Sequence, residues 1–196
     1  MSYKLKAIIV WMMHLLTWPL SLSSWLVYRL FGSEEFFSFS AKLLSLVPGK
    51  LGQYLRTSFY CVTLDGCKYD LAVGFCSFFA HPTAKAGRCV VVGSFSIIGS
   101  AELGDNILVS SRVSIMGGKY QHDMENEENS SSNVNYQMVK IGNDTWLGEG
   151  SLVMANIEGD STVSAGSVVT KPMPARTTAI GNPARFLKKE ATVVSD

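Results

Sequence analysis

The second half of the chain carries a spacing of six, and no ordinary helix or strand repeats at six. Counting from Val91, aliphatic residues fall at Ile97, Leu103, Val109 and Ile115. The step resumes through Ile141, Leu147 and Val153, and again through Ile157, Val163 and Val169. The residue after each is often small, as at Gly104, Ser110, Gly142, Gly148 and Ser164, and four places on stand Ala101, Ile107, Val113, Thr145 and Ser151. An amphipathic helix repeats at about 3.6 residues and a half-buried strand at about 2, so neither holds this step. A short strand and a turn every six residues make one flat side of a coil. Three sides close a triangular turn, with aliphatic side chains stacked inside and each rung's backbone paired to the next. The chain therefore reads as mainly β, a parallel β-helix whose inward column starts with Val91, Ile97 and Leu103.

Early rungs are less regular: Val73 and Phe79 keep the step and Lys85 breaks it. Cys89, four places after Lys85, falls at an inward position and reads as a buried free thiol. With Cys61, Cys67 and Cys76 it makes four cysteines without a C-x-x-C pair, which suits a reducing compartment. Twenty-six residues separate Ile115 from Ile141, so a loop over about 117–138 protrudes, its middle acidic and rich in Ser and Asn. Between Val153 and Ile157 a side is two residues short, which predicts a tightened corner.

The first sixty residues differ in kind. From Ala7 to Tyr28 there is no acid, lysine or arginine, and His14 is the one imidazole. Trp11, Leu15, Trp18, Leu22 and Trp25 share one helical face, while His14, Thr17, Ser21, Ser24 and Tyr28 share another. A tryptophan-edged stripe flanked by Lys4, Lys6 and Arg29 suits a helix lying in an anionic membrane interface. Packing of that stripe onto the coil or onto a neighbouring subunit is the alternative. Pro19 predicts a kink or a split into two helices. Gly32-Ser33-Glu34-Glu35 stops this helix and starts a second, to about Leu46, with Ser33 as its cap. A third short helix follows Val47-Pro48-Gly49, with Lys50 and Arg56 on its outer side, and the coil is expected to begin near Cys61–Leu64. The resulting division is helices over 1–60, coil over 61–187 and a tail over 188–196.

Three stretches carry a family resemblance. Ile141-Gly142-Asn143-Asp144-Thr145-Trp146-Leu147-Gly148, Val163-Ser164-Ala165-Gly166-Ser167-Val168-Val169-Thr170-Lys171 and Gly181-Asn182-Pro183-Ala184-Arg185 resemble, in order, three motifs of the hexapeptide-repeat acyltransferases. The subgroup they resemble most decorates bacterial polysaccharides and lipopolysaccharides with acetyl groups. The resemblance implies a left-handed coil and a homotrimer with sites between subunits. It also implies acetyl-CoA as donor and a glycan or lipid-linked glycan as acceptor.

Acetyl transfer to a hydroxyl needs a group that takes the acceptor's proton and returns one to the thiolate, and imidazole suits both steps. Of three histidines, His14 lies in the apolar segment and His81 reads as a corner residue. His122 stands where the coil opens into the loop, after Gly118-Lys119-Tyr120-Gln121. The resemblance makes His122 the general base. It also implies acetyl-CoA contacts from Trp146, Gly148, Ala165, Thr170, Lys171, Arg185 and Lys188. The Asn and Asp that often hold the acceptor in sugar acetyltransferases of this family are missing from Gly93–Ser100, so Ser94, Ser100, Glu102 and Arg112 become the acceptor candidates.

A net charge of +1 gives no nucleic-acid footprint. No metal is implied: a zinc carbonic anhydrase of this fold needs three converging imidazoles, and the coil offers His81 and His122. An antibiotic or other small-molecule acetyltransferase, or a non-catalytic β-helix scaffold, are the remaining alternatives. Residues 1–31 are expected to touch the inner face of the cytoplasmic membrane from the cytoplasmic side.

Overall fold

The computed structural model describes residues 3–117 and 138–188. Three helices precede the coil: α1 (Tyr3–Phe31), α2 (Glu35–Ser45) and α3 (Gly49–Thr63). Pro19 does not split α1, which runs unbroken across it. Gly32, at φ +67°, turns the chain out of α1, and the Ser33 hydroxyl accepts the Glu35 N–H at 3.4 Å. Helix α3 runs through Cys61 to Thr63, so the coil begins slightly later than expected, with the Asp65 N–H bonded to the Pro82 carbonyl and Gly66 bridged to Lys85.

The coil then winds in chain order. Its first turn is β1 (Ala72–Val73), β2 (Phe78–Phe79) and β3 (Lys85–Ala86). The second is β4 (Val91–Val92), β5 (Ile97–Ile98) and β6 (Ala101–Leu103). The third is β7 (Leu108–Val109), β8 (Ser114–Ile115) and, beyond residue 137, β9 (Val139–Ile141). Next come β10 (Trp146–Leu147) and β11 (Leu152–Val153) with a bridge at Ile157, then β12 (Thr162–Val163) and β13 (Val168–Val169) with a bridge at Met173. Finally β14 (Thr177–Ile180) folds back antiparallel onto β15 (Arg185–Lys188). Three flat faces result, apart from β15 all parallel. Face one carries β1, β4, β7, β10, β12 and β14, face two β2, β5, β8, β11 and β13, and face three β3, β6, β9 and the two bridges.

Burial corrects the reading of the repeat. The inward column runs Val73, Phe79, Ala86, Val92, Ile98, Leu103, Val109 and Ile115, then Ile141, Leu147, Val153, Ile157, Val163, Val169, Met173 and Ala179, all buried. Between adjacent members the steps into faces one and two are six throughout, but the step into face three is seven, then five, then twenty-six from Ile115 to Ile141, then four and four. Counting back from Leu103 in strict sixes lands one residue early, so Val91 and Ile97 point outward, 42% and 43% exposed. The Val153–Ile157 side is indeed short. Cys89 is no inward thiol either. It is exposed at φ +54° on the corner between faces three and one.

Helix α3 closes the wide first turn. Its Phe59 and Tyr60 pack with Phe37 of α2, and the Tyr60 ring meets Phe79 edge-on at 5.0 Å. Burial pushes the Tyr60 phenol's pKa up, and its oxygen accepts the Phe79 N–H at 3.2 Å. Arg56 is not on the outer side of α3: it is 1% exposed. Its Nε donates to the Val73 carbonyl at 3.0 Å, and its Nη1 to the carbonyls of Leu44 and Val47 at 2.9 and 2.8 Å. One guanidinium thus satisfies the end of α2, the following turn and the first inward strand together.

Helix α1 docks by its polar stripe. Thr17, Ser21 and Ser24 are 1–2% exposed and Val10 is fully buried. Thr17 and Ser58 share a hydrogen bond of 2.9 Å, Ser58 another of 2.7 Å with His14 Nδ1, and Ser24 donates to Ser40 at 3.3 Å. Burial holds the His14 pKa below its usual range. The apolar stripe does not pack on the coil: Trp11, Leu15, Trp18, Leu22 and Trp25 are 66%, 76%, 57%, 42% and 47% exposed.

Removing the Arg56 head would strip the Val73 and Val47 carbonyls of this donor, at about 1–3 kcal/mol for each buried group left unpaired. Arg56→Met is expected to destabilise the fold by on the order of 3–5 kcal/mol, read as a lower urea midpoint.

Candidate active site

Each rung turns at a corner between faces, and the corners gather side chains from distant parts of the sequence. At the corner between faces one and two, the residues following β4, β7, β10 and β12 stack in a column. The turn there takes φ of +60° at Phe95, +59° at Arg112 and +67° at Gly150 and Gly166. Glycine holds that conformation without strain, which is why the later rungs use it. Gly148 is buried one place into this corner. A Cβ there would stand 2.6 Å from the Ala165 nitrogen and the Val163 carbonyl oxygen, so the residue is dictated by rung packing. Ala165 is exposed beside it.

Trp146 projects outward from face one, half exposed, in register between Leu108 and Thr162. Its Nε1 donates to the Ser110 hydroxyl at 3.0 Å, which ties the indole toward the same corner. Arg112 reaches one rung along the corner to Glu149, Nη2 to Oε1 at 2.6 Å. Ser94 lies one rung the other way, its carbonyl accepting the Arg112 N–H at 2.9 Å. Arg185 opposes Ile180 at the start of β15, and Ala184 just before it bonds back to Val168. Trp146, Gly148, Ala165, Arg185, Arg112 and Ser94 therefore share one edge of the coil.

The other expected residues lie elsewhere. Thr170 and Lys171 are exposed at the corner between faces two and three, immediately after β13. The chain leaves the described coil at Gly117 on this corner and re-enters face three through β9. Ser100 is buried on the same corner, its carbonyl accepting the Val139 N–H at 3.0 Å. Glu102 lies on face three in register between Lys85 and Lys140. Lys188 opposes Thr177, at the far end of face one from Arg185. The four acceptor candidates thus divide, Ser94 and Arg112 on one corner, Ser100 and Glu102 at and beyond another. His122 lies outside the described residues, as does most of the expected 117–138 loop. The remaining coil histidine, His81, bonds to Glu34 Oε2 at 2.6 Å through Nδ1. Among the described residues no three His, Cys, Asp or Glu side chains are grouped as a metal site would need.

Two participants were not picked out from the sequence. Ser110 anchors the tryptophan and Glu149 pairs with Arg112. Ser110 directly follows inward Val109 and Glu149 stands two places after inward Leu147, so the rung alignment alone could have placed them beside Trp146 and Arg112. Face three holds a third unexpected feature, an open groove of about 990 Å³ that includes Lys85, Glu102, Lys140 and Asn156.

No family model matches the chain. Serine acetyltransferase 3 of Arabidopsis thaliana, mitochondrial, is 36% identical over 113 residues, 55% of this chain and 26% of that protein. Galactoside O-acetyltransferase of Escherichia coli is 31% identical over 91 residues, 44% of this chain and 43% of that protein. The chain thus covers well under two thirds of these relatives' own lengths. Among solved structures, a maltose O-acetyltransferase from Clostridium difficile superposes with a TM-score of 0.64 at 24% identity, covering 78% of this chain and 84% of that one. A hexapeptide-repeat acetyltransferase from Vibrio cholerae gives 0.65 at 19%, covering 80% and 93%. At such identities the superpositions speak for the fold alone. In repeat, motifs and fold alike, the chain is similar to the hexapeptide-repeat acetyltransferases.

Proposed function

We propose that this chain is an acetyl-CoA-dependent O-acetyltransferase acting on a sugar hydroxyl of a bacterial surface glycan or its lipid-linked precursor. The observation that carries the reading is the gathering of Trp146, Ala165 and Arg185 on one edge of an acetyltransferase-type coil. The coil is read as left-handed, with the 117–138 segment as its protruding loop and His122 as general base. As the acceptor oxygen attacks the thioester carbonyl, His122 takes its proton. Collapse of the tetrahedral oxyanion breaks the C–S bond, and the imidazolium returns the proton to the departing thiolate. No covalent enzyme intermediate is required.

The donor contacts fall on two corners: Trp146, Gly148, Ala165 and Arg185 on one, Thr170 and Lys171 on another. A trimer that sets one subunit's corner against its neighbour's would join both sets around a single ligand. That division supports the homotrimer. Peripheral contact of residues 1–31 with the cytoplasmic membrane's inner face completes the reading. A second reading, with a small hydroxy amino acid as acceptor, is favoured by one observation: the two plant serine acetyltransferases, 36% and 37% identical over 113 residues, match over a longer stretch and at higher identity than the galactoside enzyme. Acetyl-CoA consumption measured across sugars, lipid-linked sugars and serine decides between them.

Three variants test the site. His122→Ala is expected to keep fold and acetyl-CoA affinity while turnover falls on the order of 100-fold or more; parental turnover in a folded variant would remove His122 from the mechanism. Ala165→Trp is expected to fill the exposed corner and abolish acetyl-CoA binding with the coil intact. Lys171→Ala is expected to weaken binding by about 1–3 kcal/mol, the range for a charged hydrogen bond. Calorimetric titration with acetyl-CoA reads both, and parental affinity in both would place the donor elsewhere.

A further inference from the structure

Helix α1 is the unusual element: it turns its hydroxyls to the protein and its tryptophans away. Besides the tryptophan stripe, Ile8, Met12, Leu16, Leu26, Leu30 and Phe31 are 45–78% exposed. Apolar surface therefore covers most of the outward side of α1 from Ile8 to Phe31, in a helix containing no acidic residue. Phe39, Leu43 and Leu46 of α2 add exposed apolar surface at 58%, 46% and 62%. By length and composition Ile8–Phe31 could cross a bilayer.

We infer that α1 lies in the plane of an anionic membrane surface instead of crossing it, and that it holds the corner where the 117–138 segment leaves the coil against that surface. This rests on the membrane contact proposed above and specifies how it is made. The side-on docking forbids crossing: α1 is bonded along its length, from His14 to Ser24, to α3 and α2. A spanning α1 would drag those helices, with Glu35, Lys42 and Lys50, into hydrocarbon, where unpaired charge and backbone are excluded. Lying flat, the same helix sinks only its apolar side, with tryptophans at headgroup depth.

Charge selects the occupant. Lys4 and Lys6 stand in the first turns and Arg29 in the last, with no carboxylate between them. An anionic lipid surface complements that pattern. A second copy of the helix does not, since parallel or antiparallel packing brings cation against cation. The geometry also relates the surface to the site. Glu34, between α1 and α2, is bonded to His81 on the corner between faces two and three. From there the column passes through Ala80, paired to Ile98, and Gly99, paired to Ile115, to Gly117, where the described chain breaks off. Two rung spacings make roughly 10 Å. An acceptor anchored in the bilayer is thereby presented to this corner.

The full-length protein is first floated with phosphatidylcholine vesicles, with and without phosphatidylglycerol. At least tenfold stronger association with the anionic vesicles is expected, lost in the surface variant Trp11→Ser/Trp18→Ser/Trp25→Ser. No association, or tryptophan-dependent self-association in place of it, would overturn the lipid contact itself. Then three proteins keeping Trp11, Trp18 or Trp25, with every other tryptophan including Trp146 changed to Phe, are quenched by lipids brominated at graded depths. Equal, shallow depths are expected. Trp18 deeper than both others by about 10 Å, seven residues of helix rise, would show a crossing helix and overturn the in-plane placement. Acetyl-CoA consumption with a soluble acceptor, read alongside in the parent protein, reports on the catalytic reading independently of either result.

Discussion

Parallel pairing between successive rungs is the constraint on which the rest of the molecule depends. On faces one and two the rungs donate forward, as Gly93 N–H does to the Val109 carbonyl and Gly99 N–H to that of Ile115, so an inward position, once set, must recur directly above and below. Faces one and two obey with steps of six from Val73 to Ala179. The side leading into face three absorbs all variation, and the turn shrinks from nineteen residues, Ala72 to Val91, to sixteen, Trp146 to Thr162. The wide end needs larger filling, which is why α3 inserts Phe59 and Tyr60 against Phe79 there. The narrow end is closed more cheaply, by the fold-back of β15 and the partly buried Phe186.

That asymmetry explains what could be read in advance. A period of six survives in two thirds of the coil, so the fold class, the parallel sheets and the short corner at Val153–Ile157 were legible. The phase was not: a five-residue side between Ile98 and Leu103 is invisible while both Ile97 and Ile98 are isoleucine. Burial of either satisfies the pattern, and backbone pairing alone selects Ile98. Cys89 was misplaced for the same reason, since the seven-residue side before Ala86 moves it to a corner. Arg56 was misread differently. A charged residue on an amphipathic helix is usually solvated, and nothing local indicates that three carbonyls left by the end of α2 and by β1 converge on it.

The candidate residues could be named one by one from the sequence, but the way the coil groups them could not. Trp146, Ala165 and Arg185 are far apart in sequence, yet corner stacking follows from the repeat once the phase is right. The acceptor candidates carry no periodic signal, and the coil separates Ser94 and Arg112 from Ser100 and Glu102. The Arg112–Glu149 pair is surface-exposed at both ends. Such pairs contribute little stability, so its place beside Ala165 is the more informative fact.

The choice of face in α1 has an energetic side. Docking through its hydroxyl stripe gains hydrogen bonds worth about 0.5–1.5 kcal/mol net apiece, for a handful of bonds. Docking through the opposite stripe would bury three tryptophans and two leucines, each large apolar side chain worth roughly 1.5–3 kcal/mol or more removed from water. In water the observed arrangement leaves the larger apolar stripe exposed. The sequence nevertheless supplies matching hydroxyls at Ser58 and Ser40 to receive Thr17 and Ser24, so both partners are built for it. The balance reverses once the outward side meets an apolar medium, because the tryptophans and leucines then lose water without consuming the protein's own surface. A helix that keeps its hydroxyl stripe for the protein and its tryptophan stripe for the outside is consistent with the membrane contact proposed above.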